Sequence, residues 1–164
     1  MDVDERPRHS IDIGHVVFYL LLLLPAGALA APKLLEARRH GNEAAAIGAL
    51  KTIGRAEALF REGDCEHDGN LDYGMLSELY RAELVDPELG SGTRRGYFFQ
   101  VNYSFNTSEF LWFGLANPTR PGYTGERYFA TNQAGVIFYT SRANLVPDTD
   151  TCVLPNDGRL PTGR

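Results

Sequence analysis

Basic residues never gather in this sequence. Its 16 Lys and Arg are spread among 21 Asp and Glu, giving a net charge of −5, and a surface that neutralises phosphates needs its cations clustered. Nucleic acid is not expected as a partner. Cysteine is nearly absent: Cys65 and Cys152 are the two in 164 residues, too few for a zinc site, which takes four ligands in close pairs. The four histidines are His9, His15, His40 and His67, and none has a recognisable Ser or acid partner for nucleophilic catalysis. Gly90-Ser91-Gly92 precedes strand-like sequence, whereas a phosphate cradle opens a helix. No residue set announces an enzyme, and no catalytic residue is assigned. Internal repeats and low-complexity tracts are also missing.

Charge is missing from one stretch. Residues 13–31, IGHVVFYLLLLLPAGALAA, hold no Asp, Glu, Lys or Arg, and their length approaches the ~20 residues a helix needs to cross a bilayer. Two readings compete. The run is a cleaved secretory signal, with an apolar core at Val16–Leu24 and the small-residue site Ala28-Leu29-Ala30 before Ala31. Or it stays in place as a membrane anchor and begins a long helix. Asp2, Asp4, Glu5 and Asp12 precede it and Lys33, Arg38 and Arg39 follow, so flanking charge fixes no orientation. Both readings put the remainder of the chain beyond the cytoplasmic membrane, in the cell envelope, periplasm or extracellular space.

Beyond Pro32 the apolar residues Leu34, Leu35, Ala37, Ala44, Ile47, Leu50, Ile53 and Phe60 recur near a helical period. They predict one helix over 33–61, opened by Pro32 and closed by Gly63 in the left-handed cap conformation. A polar loop, 64–73, leads to a short helix over 74–84. From Gly96 the pattern changes. The segments 97–105, 109–116, 127–131 and 135–141 are rich in aromatic and β-branched residues and separated by polar links, short except for one, which favour antiparallel pairing. The residues from Asn144 onward are rich in Pro, Asp and Gly and predict an irregular tail. The fold class is therefore α+β: a long N-terminal helix packed on a small antiparallel sheet. The organisation is a leader or anchor (1–31), a helix-plus-sheet domain (32–143) and a tail (144–164).

Two sites stand out. Asp64-Cys65-Glu66-His67-Asp68-Gly69-Asn70-Leu71-Asp72 has the spacing of a calcium loop over nine positions. The carboxylates of Asp64, Glu66, Asp68 and Asp72 and the carbonyl of Asn70 are its candidate calcium ligands. The twelfth position, which normally closes such a site with a bidentate acid, is Met75. The competing reading is a solvated acidic turn. Cys65 and Cys152 are the candidate disulfide. A bond between them would close a loop of roughly 90 residues and stabilise by on the order of 4 to 5 kcal/mol in the chain-entropy description.

Pro32-Lys33-Leu34-Leu35-Glu36-Ala37-Arg38-Arg39, followed by Asn42-Glu43-Ala44-Ala45-Ala46-Ile47-Gly48-Ala49-Leu50, resembles the N-terminal helix of type IV pilins and type II secretion pseudopilins. The later order is also similar: loop, small helix, aromatic strands and a last strand, Gly135-Val136-Ile137-Phe138-Tyr139. The leader departs from that family, because Gly14 is followed by His15 and the place of the family's glutamate is Tyr19. The resemblance implies a non-catalytic, pilin-like structural subunit of a pilus or secretion pseudopilus. Its implied partners are other pilin-like subunits or secretion-system components, and the inner membrane through the N-terminal segment. The alternative is an exported pilin-fold module that binds calcium and builds no filament.

Overall fold

The computed structural model describes residues 13–67, 69–104, 106–141, 148, 151–152 and 160–161, with the backbone course alone for 16–31 and 160–161. The leader before Ile13, the side chains of the apolar run with its Ala28-Leu29-Ala30 site, Asp68 and most of the tail lie outside the described residues. Among the described residues no helix is long and apolar enough to cross a membrane.

The chain divides into two units, 1–37 and 38–164. A single helix, α1, is assigned over Ile13–Glu62, so Pro32 does not open it. The first unit holds its residues up to Ala37. In the second unit its buried positions are Glu43, Ala46, Ala49, Leu50, Ile53, Ala56, Glu57 and Phe60, a spacing of three and four that makes one face. This face is rotated from the expected stripe: Leu34 and Ala44 are exposed, and small alanines with two acids take their place.

The helix closes one residue later than expected. Asp64, not Gly63, takes the left-handed conformation, at φ 42°. Cys65 N–H donates to the Phe60 carbonyl at 3.4 Å and Asp64 N–H to that of Arg61 at 3.4 Å. These are the paired bonds of a Schellman ending, and Asp is among the few side chains that tolerate this conformation. Two short helices follow, α2 (Leu76–Arg81) and α3 (Pro87–Gly90). The Asp86 side chain caps α3 by accepting from Leu89 N–H at 3.0 Å.

The strands are β1 (Thr93–Arg94), β2 (Tyr97–Tyr103), β3 (Trp112–Pro118), β4 (Tyr128–Asn132), β5 (Phe138–Thr140) and β6 (Leu160–Pro161). They form one sheet in sequential order, every neighbour antiparallel. The α+β class and the antiparallel meander therefore hold. The tail is not wholly irregular, since Leu160 and Pro161 pair with Tyr139 and Phe138. Residues 109–110, expected in a strand, belong to a turn, and β3 begins at Trp112.

The pleat separates two apolar clusters. Tyr97, Phe99, Val101, Trp112, Ala116 and Phe129 pack with Leu50, Ile53, Phe60, Leu79 and Leu89 on the helix side. Phe113, Leu115, Ala130 and Cys152 form a smaller cluster on the other face. Gly125 is required where it stands, because a Cβ there would overlap Tyr97 Oη, which donates to the Arg127 carbonyl at 2.9 Å.

Candidate functional site

The acidic loop begins as the helix cap just described. Asp64 is engaged in the turn itself: its carboxylate accepts from Gly69 N–H at 3.2 Å, and its carbonyl from His67 N–H at 2.9 Å. At the other end, Tyr73 N–H donates to the Ser108 carbonyl at 3.1 Å, and Ser108 Oγ donates to Asp72 Oδ2 at 3.4 Å. Arg61 Nε reaches the Glu109 carbonyl at 2.8 Å. The loop is thus tied to the turn before β3 at both ends. Asp72 Oδ1 is buried without a hydrogen-bond partner.

Among the described residues no three His, Cys, Asp or Glu side chains converge on a point where an ion could be held. Asp64 turns its carboxylate to Gly69 and Asp72 to Ser108, while Glu66 and Asn70 are exposed. Asp68 lies outside the described residues. Burial raises the Tyr103 hydroxyl above its ordinary value, and the charges of Glu78, Glu66 and Asp72 raise it further, so these three acids share one electrostatic neighbourhood around Tyr103.

Cys65 and Cys152 are free thiols here. Cys65 is half-buried against the helix-side cluster, whereas Cys152 is fully buried with Phe113, Leu115 and Ala130 on the opposite face. The two cysteines therefore sit in separate clusters on opposite faces of the sheet. Burial pushes the Cys152 thiol up, as does the Asp148 charge, against a backbone hydrogen bond from Ser104 that lowers it; thiolate is the reactive form. Native maleimide labelling should therefore modify Cys65 at least 100-fold faster than Cys152, with both labelled after denaturation. Two unreactive cysteines in the denatured, unreduced chain would show instead that they are bonded.

Two acids of α1 that lie outside the apolar stripe read from the sequence are buried. Glu57 is fully buried; its Oε2 accepts from Gly74 N–H at 3.0 Å and its Oε1 has no partner. Burial, against the Gly74 hydrogen bond and with the Glu78 charge adding to it, pushes this carboxyl from 4.5 to about 8. Glu43 is the opposite case. Its Oε1 accepts from Glu126 and Arg127 N–H at 2.9 and 3.2 Å, and its Oε2 from Arg127 Nε at 2.8 Å and Nη2 at 2.6 Å. Burial acts to raise its pKa, but the backbone donors and the Arg127 guanidinium outweigh it and hold the carboxyl below its usual value. Asn42 donates to the Thr124 carbonyl at 2.9 Å, and Arg39 pairs with Glu126. Arg39, Asn42 and Glu43, within the segment that resembles pilins, thus lash α1 to the 119–127 loop. Spacing could have shown this: Glu43, Leu50, Ile53, Glu57 and Phe60 share one helical face.

No protein-family model, no curated protein and no solved structure matches this chain.

Proposed function

We propose that this chain is a non-catalytic, pilin-like structural subunit of a cell-envelope assembly, a pilus or a secretion pseudopilus. The observation that carries the reading is one helix assigned from the apolar run into the sheet domain, Ile13 to Glu62, whose later half forms the core with an antiparallel meander. In this reading the uncharged run at the start of the helix is retained and inserts in the inner membrane beside other subunits. Leu34 and Leu59 on α1 are 65% and 57% exposed, so the helix still offers apolar side chains to a neighbour.

Full-length chain should fractionate with membranes, and deletion of residues 13–31 should release it. A photo-crosslinking amino acid at Leu34 or Leu59 should give adducts at multiples of the 18.2 kDa chain or with another subunit bearing an N-terminal apolar helix. Full-length chain found entirely in the soluble fraction, without such adducts, would end this reading.

The second reading is an exported calcium-binding module that does not assemble. It is favoured by Asp72 Oδ1, a buried carboxylate oxygen with no hydrogen-bond donor, which a cation at the loop would satisfy. Asp64, Glu66, Asp68 and the Asn70 carbonyl would supply the other oxygens. Calcium at millimolar concentration should then raise the melting temperature through preferential binding to the folded state, and Asp68→Ala should remove the rise. An unchanged melting temperature would leave the loop as a solvated turn.

A further inference from the structure

A cavity of about 490 Å³ opens between α1 and the β4–β5 turn, within the range of small-ligand sites. Leu50, Ile137, Tyr73 and Trp112 supply its apolar lining, and Asn132 and Gln133 stand on the turn side. Tyr73 and Trp112 hold their rings at 6.1 Å and 48°. Gly114 makes room for the indole: a Cβ there would lie 3.2 Å from Trp112 Cζ3.

Two local features that cost stability coincide on the helical wall. Gly54 sits in the interior of α1, where glycine is disfavoured relative to alanine. Packing does not demand it, since a Cβ would meet Trp112 at an ordinary 3.8 Å; its effect is to leave open the space above the indole. Lys51 and Arg55 are both exposed at the cavity, four residues apart on one helix edge, where like charges repel. Neither has an ion-pair or hydrogen-bond partner among the described residues, although acids outnumber bases in the chain. An anion would relieve that repulsion, and the guanidinium of Arg55 matches a carboxylate with two parallel hydrogen bonds. A planar apolar body would lie over Trp112 in the space that Gly54 leaves.

We infer that the groove between Lys51, Arg55 and Trp112 binds a carboxylate carried on a flat, ring-sized apolar group. Such a group is offered by a free aromatic acid or by the terminal carboxylate of a peptide ending in an aromatic residue. The site is independent of whether the chain builds a filament.

Trp112 is the chain's only tryptophan, so its indole N–H is a single NMR resonance. Titration of naphthalene-2-carboxylate into the full-length chain in lipid nanodiscs, with empty nanodiscs as the blank, should move that resonance saturably. The neutral naphthalene-2-carboxamide should bind at least tenfold more weakly. The double variant K51Q/R55Q, altered only at exposed positions, should lose at least tenfold affinity for the acid and little for the amide. Raising salt to half-molar should weaken the acid several-fold, because exposed charges are screened. Gly54→Leu should block both compounds while keeping a cooperative melt. A peptide ending in Phe with a free carboxylate, compared with its amidated form, separates the two sources: tighter binding than naphthalene-2-carboxylate indicates a protein terminus, weaker binding a free acid. No shift of the Trp112 resonance, equal binding of acid and amide, or unchanged affinity in K51Q/R55Q overturns the inference.

Discussion

Glu57→Gln should stabilise the protein above neutral pH and remove most of a decline in stability that the native chain shows between about pH 5 and 8. The side chain is fully buried with one donor, Gly74 N–H, on Oε2 and none on Oε1. Its carboxyl is raised from 4.5 to about 8. In the unfolded chain it ionises near 4.5, so between those values the folded state holds the extra proton. Stability therefore falls as pH rises through this window and levels off above pH 8. At ~1.36 kcal/mol per pH unit the full effect is on the order of 4 to 5 kcal/mol. Below pH 4.5 both states are protonated and the group contributes no slope. Urea unfolding of the native protein and of Glu57→Gln at pH 6 and pH 9 measures the difference. The variant should gain about 2 to 4 kcal/mol relative to the native chain on moving to pH 9. Parallel pH profiles for the two proteins would mean that Glu57 is ionised in place.

Glu43→Ala should be the most damaging change on the helix face, by about 2 to 4 kcal/mol: less than the loss for a fully buried ion pair, because the Arg127 side chain is 35% exposed. The substitution strips Arg127 of its carboxylate and leaves the amides of Glu126 and Arg127 without their acceptor. Glu43→Gln restores an acceptor but not the charge, and should recover part of the loss. The sign in pH is opposite to that of Glu57. The folded-state pKa lies below the ordinary 4.5, so the stabilisation is complete above that value and is lost as acid takes the pH down through the folded pKa. Thermal melts at pH 7 and pH 3 check both statements: the gap between native and Glu43→Ala should be wide at pH 7 and narrower at pH 3. An equal gap at both would assign the effect to packing alone.

These two acids mark where the sequence was legible and where it was not. The change from helical spacing to aromatic, β-branched segments at Gly96 placed the sheet, because antiparallel strands with one packed face alternate and short links force neighbours to pair. Segments β2, β4 and β5 were found within a few residues. Periodicity also found the helix, but residue type misled about its face. Glu43 and Glu57 fell outside the apolar stripe because they are charged, although their spacing to Leu50, Ile53 and Phe60 puts them inside. Partners such as Arg127 and Gly74 come from distant parts of the chain, and no local pattern announces them. The same limit applies to Asp64. Its carboxylate fitted a ligand position by spacing, yet the turn uses it to hold Gly69. The cysteines could be counted from sequence, but their separation by the sheet depends on where the tail returns. The cavity beside Trp112 was not foreseen at all, since it is assembled from α1, Tyr73 and the β4–β5 turn, which lie far apart in the sequence.

The two outermost strands bear on how copies of the protein could join. β1 and β6 are two residues each, and β6 contains Pro161, which has no N–H to donate. A strand so short, ending the ladder with a missing donor, is a poor template for another chain's backbone. Strand addition is therefore disfavoured along β1 and β6 themselves. An assembly joined away from these two strands is written in side chains, along helix surfaces and loops, where a single substitution can tune or abolish it.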